Sequence, residues 1–410
     1  MCCATSLARP NLDPRVARVN FPSVPTPFSL AFIAHEVHRR GGQERAAAEI
    51  LARIAKRVSV TVIARACEVE GVEWVRVDGP TRPSVLRTWA FARAARRAEL
   101  RAGCTITNSI GAAAADADVI TAQFCHAAFT ARYGGIRGGS AMGGAYQRLA
   151  QSWFVAEERR AYGAARLRRV ISVSRGTARE LEEHYRVSPN RISIVPNGVD
   201  HAQFRPAGDA AAKHALRVRL GLPTDACLAL FVGGDWERKG VRDAVDAVAP
   251  LADTHLVIVG RGDAQAMRAY ATQRGATGRV HVAEPTPTPQ EYYAACDLFL
   301  FPSRYEAFSL VTLEAAASGL PIVCHSINGT EELITNGENG WLVPFGVESL
   351  RERVMTVRDQ PAVRTRMSAA AVASSQRYAW DRVAAEYYDV LARAARGEEA
   401  PAAPDVPGVR

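Results

Sequence analysis

Residues 297–324, DLFLFPSRYEAFSLVTLEAAASGLPIVC, constrain this chain more than any other stretch. The apolar run Asp297–Phe301 reads as a buried strand closed by Pro302-Ser303. A loop from Arg304 to Phe308 follows. The pattern then predicts a helix from an N-cap at Ser309 to about Ser318, stopped by Gly319 and Pro321. Leu320–Cys324 reads as the next buried strand. Such a βαβ unit puts its loop-to-helix turn at the carboxyl end of a strand, where open α/β sheets bind ligands.

The loop carries Glu306 and the helix carries Glu314, with seven residues between them. Glu306 precedes the helix and Glu314 lies more than one turn inside it, so the two carboxylates need not share one spot. They can hold different hydroxyl-bearing parts of one long ligand. Free N–H groups at the helix start, Ala307, Phe308, Ser309 and Leu310, then face its anionic middle. A ligand with a sugar at one end, a ribose at the other and phosphates between them fits that layout.

Glu306 and Glu314 at this spacing, followed by Ala-Ala-Ala-Ser-Gly-Leu-Pro-Ile-Val, resemble the donor-site motif of the retaining GT-B glycosyltransferases of family 4. The resemblance implies that Glu306 contacts the donor sugar and Glu314 the nucleotide ribose. Ala307 and Ser309 stand where members of that family often have glycine, a change that could tighten the sugar pocket. The implied fold is α/β, with two Rossmann-like doubly wound domains facing a cleft.

A chain of 410 residues agrees with two domains or more, and 48% hydrophobic with 23% charged residues is ordinary for a globular protein. No apolar run approaches the roughly 20 residues of a membrane-spanning helix. Residues 1–27 show no signal-peptide pattern and read as a disordered tail, and the chain is expected in the cytoplasm. The eight cysteines show neither CxxC pairs nor histidines at zinc spacing, so they read as reduced thiols and no metal site is expected. Cys2-Cys3 fits either an acylation site or a plain tail.

The net charge of +9 admits nucleic acid, an anionic membrane or a phosphorylated substrate. No nucleic-acid module appears, which sets that class aside. Six arginines between Arg82 and Arg101, with Trp89 and Phe91, fall on a helical stretch. Such a helix can rest weakly on an anionic membrane surface at the inner face of the plasma membrane; a solvated helix face fits the same residues.

In chain order, a strand at Ser29–Val37 leads to Gly41-Gly42 and a helix over Ala46–Lys56, followed by a strand at Val58–Ala64. The glycine pair lets backbone approach a ligand and resembles the family's GG loop, which faces donor phosphates and acceptor. A strand at Asp118–Thr121 ends at His126, either a site residue in the cleft, as the resemblance implies, or a histidine satisfied in a loop. Tyr133–Gly144, with six glycines, reads as a loop on the acceptor side or a connection without a role, and a helix is expected over Gln147–Gly163. Val195-Pro196-Asn197-Gly198-Val199-Asp200 reads as a structural interdomain corner.

The strand–helix alternation restarts at Leu228–Val232. Gly233 opens the next turn, and Arg238-Lys239 precede the helix at 241–249. Two cations there can neutralise a departing diphosphate. This segment resembles the RKG stretch of lipopolysaccharide-core glucosyltransferases. Gly260-Arg261 follow the strand His255–Val259, where the family holds the nucleotide. Gly329 and Thr330 are expected to approach the donor.

The expected division is 28–205 for the acceptor domain, 206–378 for the donor domain, 379–396 for a helix crossing back, and 397–410 for a second tail. The reading is a metal-independent hexosyltransferase that needs no cofactor besides its nucleotide sugar, UDP-glucose being favoured, and acts on a glycan or glycolipid such as lipopolysaccharide core. A sugar-nucleotide epimerase and a non-catalytic nucleotide-sugar-binding scaffold remain as alternatives.

Overall fold

The structure, a computed structural model, describes residues 28–80, 84–133 and 141–398. The tail at 1–27, Cys2-Cys3, the 134–140 part of the glycine-rich loop and the end of the second tail lie outside the described residues.

The first half contains β1 (Ser29–Ile33), β2 (Glu36–Val37), β3 (Ser59–Ala64), β4 (Ala66–Cys67) and β5 (Glu73–Arg76). It continues with β6 (Ile106–Ile110), β7 (Val119–Ala122), β8 (Arg169–Ser172) and β9 (Ile192–Ile194). Its helices are α1 (Gln43–Ile54), α2 (Ser84–Ala102), α3 (His126–Tyr133), α4 (Ala141–Tyr162) and α5 (Arg175–Tyr185). The second half contains β10 (Cys227–Val232), β11 (Thr254–Val259), β12 (Val280–Ala283), β13 (Leu298–Phe301), β14 (Ile322–His325) and β15 (Gly340–Val343). Around these lie α6 (Ala210–Arg219), α7 (Trp236–Lys239), α8 (Val241–Val248), α9 (Ala264–Gln273) and α10 (Pro289–Ala295). The chain ends with α11 (Leu310–Ala317), α12 (Thr330–Leu333), α13 (Val347–Asp359), α14 (Pro361–Ser375) and α15 (Trp380–Arg396).

Two parallel sheets result, ordered β5-β3-β1-β6-β7-β8-β9 and β12-β11-β10-β13-β14-β15. In each, the chain enters at the middle, winds to one edge, then returns beside its first strand and winds to the other edge. The reversal falls between β1 and β6 in the first sheet and between β10 and β13 in the second. Crevices open at such switch points. The strands are near-continuous runs of Val, Ile, Leu and Phe because helices cover both faces: Leu228, Leu230 and Phe299 face one core cluster, Phe231, Leu298 and Leu300 another.

Three sequence expectations change. The first strand ends at Ile33, because Val37 pairs with Cys67 in a separate two-stranded ribbon. Ala141–Gly144 open α4 instead of belonging to a loop. Propensity alone reads two adjacent glycines as a break, but here they continue a 22-residue helix. The 201–220 boundary also holds a helix, α6. Its buried Arg217 donates to Asp297 at 2.7 Å, and Lys213 reaches the same carboxylate at 2.7 Å. Burial alone would raise the Asp297 carboxyl, but these two cations hold it below its usual range.

The last helix, α15, returns to the first sheet. Trp380, Val383, Tyr387 and Leu391 pack in the cluster of β1 and β3, and the Tyr387 hydroxyl lies 2.5 Å from Thr121 Oγ1 and 2.6 Å from Asn108 Oδ1. No helix among the described residues is long and apolar enough to cross a membrane.

Candidate active site

The second switch point brings β10 and β13 side by side, and the segments leaving their carboxyl ends meet there. Glu306 follows β13; Arg238 and Lys239 end the short α7 after β10. Asp235 caps α7 by accepting from the Arg238 amide, and it also takes the Arg238 Nε at 2.9 Å, so the arginine is aimed before it reaches Glu306. Glu306 Oε1 accepts from Lys239 Nζ at 2.7 Å, Arg238 Nη1 at 2.9 Å and Ser303 Oγ at 3.2 Å. All three bonds fall on one oxygen; among the described residues, Oε2 has no hydrogen-bond partner. Burial would raise the Glu306 carboxyl, yet Lys239 and Arg238 together outweigh it and keep it ionised.

Gly233 makes this possible. It has φ +155°, and a Cβ there would lie 2.3 Å from Lys239 Cδ, so only glycine lets the lysine stem pass back over the turn. The Lys239 ammonium also sits 4.7 Å from the Phe301 ring centroid. The strand ends β10 and β11 are equally close: a Cβ on Gly260 would lie 2.2 Å from the Gly233 carbonyl oxygen. Arg261 is exposed at this junction, with no ion pair among the described residues.

Helix α11 begins at Leu310 with Ser309 as its N-cap residue, as expected, but the serine side chain caps nothing. Among the described residues its buried Oγ has no partner, nor does Thr312 Oγ1 one turn on. Among the described residues the first-turn amides thus have no side-chain acceptor, and the helix dipole adds positive character there. Ala307 and Phe308 are buried beneath this turn, and Leu310 packs into the core of the first sheet. Gly329 (φ +80°) packs against Phe308, but the Thr330 hydroxyl bonds within its own turn, to Ile327 O at 2.6 Å.

Glu314 is buried (4% exposed). Its Oε2 accepts from the fully buried Tyr293 hydroxyl at 2.8 Å, and its Oε1 pairs with the Arg45 guanidinium from the other half of the chain. Arg45 lies on α1 just past Gly41 and Gly42. Gly41 has φ +90°, with the Glu44 carboxylate folded over it, and Gly42 is the N-cap of α1. The GG loop is therefore anchored beside Glu314 by Arg45, a residue that the sequence analysis does not single out.

His126 opens α3. Its Nδ1 lies 3.0 Å from Gln151 Oε1, and its ring stacks on Phe154 at 4.9 Å and tilts against Phe124 at 4.8 Å. Burial keeps its pKa below the ordinary value, so it is neutral near pH 7. No described contact joins it to Glu306, Arg238 or Lys239. The link runs through Tyr305, which packs edge-on to Phe124 at 4.9 Å and accepts from the Cys125 amide at 3.3 Å.

The two halves meet on the central motif itself. Tyr305 donates to Glu180 on α5 at 2.8 Å. Asn197 exchanges hydrogen bonds with Gln123 and donates to Phe308 O at 3.1 Å. Arg175 N donates to Glu332 at 2.7 Å, and Arg179 pairs with Glu331 at 3.2 Å. The sequence marks Asn197 as part of a structural corner; it is also a buried tie between both halves and the loop of Glu306. Among the described residues, no group of three or more His, Cys, Asp or Glu is placed to hold a metal ion.

A family model described as "Glycosyl transferases group 1" matches residues 212–373, and one described as "Glycosyltransferase Family 4" matches residues 40–203. Among curated relatives, a D-inositol 3-phosphate glycosyltransferase of Acidothermus cellulolyticus is 34% identical over 244 residues, 55% of this chain and 54% of that protein. One of Xylanimonas cellulosilytica is 36% identical over 239 residues, 55% of this chain and 57% of that one. The chain spans about half the length of the curated relatives it matches. Among solved structures, WaaG, a glycosyltransferase involved in lipopolysaccharide biosynthesis, superposes with TM-score 0.75 at 22% identity, over 88% of this chain and 99% of that one. Anabaena Alr3699/HepE in complex with UDP-glucose superposes with TM-score 0.69 at 18% identity, over 89% of this chain and 99% of that one. At these identities the likeness to the solved structures is one of fold.

Proposed function

This chain belongs to family 4 of the group 1 glycosyltransferases, with the GT-B fold, and from that premise we propose that it moves a hexose from a UDP-linked sugar to an acceptor hydroxyl of a glycan or glycolipid, with retention of configuration. Residues 28–205 form the acceptor half in this reading, 206–378 the donor half, and 379–396 the returning helix. The observation that carries it is the arrangement at the second switch point: one carboxylate oxygen of Glu306 gripped by Lys239 and Arg238, beside the uncapped first turn of α11.

As the bond from C1 to the diphosphate breaks, negative charge grows on the leaving phosphate oxygen. Lys239, Arg238 and the α11 amides meet it, and stabilisation of developing charge by preorganised groups lowers the barrier without a divalent ion. The acceptor oxygen forms its bond to C1 on the same face, and its proton passes to the leaving phosphate. Glu306 fixes both cations with Oε1 and takes a sugar hydroxyl with Oε2, while Glu314 takes the ribose hydroxyls. Gly233, Gly260 and Arg261 line the nucleotide side, Gly41 and Gly42 the diphosphate, and the loop of His126 the sugar. On α2 the exposed Leu86, Trp89 and Leu100, with Arg93 stacked 5.0 Å over Trp89, form the face that rests on an anionic membrane surface at the cytoplasmic side.

The test is turnover of UDP-glucose followed by NMR, with water as the slow acceptor. The reading expects UDP release with α-glucose as the first-formed anomer. First-formed β-glucose would remove retention, isomerised sugar nucleotide would indicate an epimerase, and binding without release would indicate a scaffold.

A further inference from the structure

The Glu314 carboxylate is closed on both sides. Its Oε2 accepts from the Tyr293 hydroxyl at 2.8 Å, and its Oε1 holds the Arg45 guanidinium. The two partners differ in freedom. Tyr293 is fully buried on α10, with its ring set against Phe204 and Phe299 at centroid distances of 5.5 and 6.0 Å, so it cannot withdraw. Arg45 comes from α1 of the first half, just past Gly41 and Gly42, and its side chain is partly exposed. Of the two, the arginine is the one that reaches solvent and can move.

A ribose held by Glu314 must donate a hydroxyl to one of these oxygens. Tyr293 is fixed on Oε2, so the oxygen that can be reached is Oε1. A carboxylate oxygen accepts more than one bond, but the open side of this one is filled by the guanidinium itself, and the hydroxyl arrives only as the arginine leaves. Arg45 has a second acid to turn to on its own helix. Glu49 lies four residues on, one turn away, close enough for its charge to act on the Arg45 guanidinium. Its carboxylate is held in place by Arg39 Nε at 3.0 Å and Arg53 Nη1 at 2.7 Å. Turning Arg45 from Glu314 toward Glu49 keeps the arginine beside an acid and leaves Oε1 to the ribose.

We propose that Arg45 is a displaceable competitor for the ribose seat, so that the ribose hydroxyls of UDP are read by exchange with an arginine of the opposite half. The inference rests on the proposed ribose role of Glu314 and adds what that role requires of Arg45. Exchange has two consequences. The hydroxyls add little net affinity, because the bonds they form replace an ion pair that breaks. Ribose binding also unties α1 from α11, while the ties through Tyr305 and Asn197 stay in place. A nucleotide without the hydroxyls leaves the ion pair intact.

Calorimetric titration of the full chain with UDP and with 2′,3′-dideoxy-UDP reads the exchange as a ratio of affinities. In wild type UDP is expected to bind about threefold tighter or less. In Arg45→Met, which frees Oε1, the ratio should rise to about tenfold or more, as for a hydrogen bond to a charged acceptor. Any effect of Arg45 on the phosphates cancels, because both nucleotides carry them. Arg45→Gln is the second variant, so that a folding failure in one leaves the other to decide. Tyr305→Phe cuts a different tie between the halves and should keep the wild-type ratio. A ratio of about tenfold in wild type that stays the same in both Arg45 variants would overturn the proposal and leave the ribose role of Glu314 standing. An equal rise in Tyr305→Phe would also overturn it, since looser halves and not the freed oxygen would then be the cause. A ratio near one in every protein would overturn the ribose role itself, and the proposal with it.

Discussion

Removing the Glu314 carboxylate should cost far more stability than an ordinary ligand contact would suggest. Glu314 is 4% exposed and accepts from two residues distant in sequence, Tyr293 and Arg45. In Glu314→Ala the Arg45 side chain, 24% exposed, can turn toward water, but the Tyr293 hydroxyl is fully enclosed and keeps only its long bond to Val311 O at 3.4 Å. Losing a charged hydrogen bond costs about 1.5–3 kcal/mol and leaving a buried hydroxyl with one poor partner about 1 more, so a total of roughly 2.5–4 kcal/mol is expected. Glu314→Gln keeps an acceptor for Tyr293 and loses only the charge facing Arg45, for about 1–2 kcal/mol. Urea unfolding of both variants beside Arg45→Met measures this, and Arg45→Met combined with Glu314→Gln should fall well short of the sum of the single losses. If Glu314→Ala were within about 0.5 kcal/mol of wild type, the carboxylate would not be the junction described, and a loss of donor affinity could then be read directly as a lost ribose contact.

Glu158 makes a pH signature. Burial pushes its carboxyl up to about 7, although the Tyr185 hydroxyl and the His126 amide at 2.9 Å both donate to it. The folded state therefore keeps a proton that the unfolded chain releases near 4.5, so stability should fall as pH rises from about 4.5 to 7 and level off above that. Glu158→Gln should flatten that segment of a Tm-versus-pH curve; an identical slope would remove Glu158 as its source. Lys239→Met should lower kcat by about 100-fold or more beyond the roughly tenfold weakening of donor binding, and no loss in kcat beside that weakening would assign the lysine to uniform binding. Gly233→Ala should displace Lys239 and reduce turnover in a protein that still folds; full activity would contradict the close approach at that turn. Tyr305→Phe removes the bond to Glu180 and should destabilise the protein by about 1–2 kcal/mol, measured by urea unfolding, with no change meaning that the tie between the halves lies elsewhere.

Much of the fold was legible because buried parallel strands announce themselves as short apolar runs. LFLF and IVCH, flanked by Pro and Gly, fall within two residues of their expected bounds. The same local logic placed Glu306 at a strand's carboxyl end and Glu314 inside the following helix. What could not be read are the pairings across long separations. Arg45 meets Glu314 from 269 residues away and Asn197 meets Phe308 from 111, and no local pattern encodes such contacts. The contacts of Arg238 and Lys239 with Glu306, which tie the two motifs into one unit, are also non-local. Ala141–Gly144 misled in the opposite direction, because packing of a long helix overrides the weak propensity of two glycines. For His126 the sequence left two readings, and its contacts to Gln151 and Phe154 show how a histidine at a strand's end is satisfied by a neighbouring helix.

The central claim is that the turn of Gly233 to Lys239 and the start of α11 together bind a nucleotide diphosphate sugar. The most direct measurement is calorimetric titration of wild type and Lys239→Met with UDP-glucose, beside GDP- and ADP-glucose. The account predicts one site per chain for UDP-glucose, weakened about tenfold or more in the variant, because a charged hydrogen bond to phosphate is lost. A folded protein that binds none of the three, or binds UDP-glucose equally well without the lysine, would contradict it.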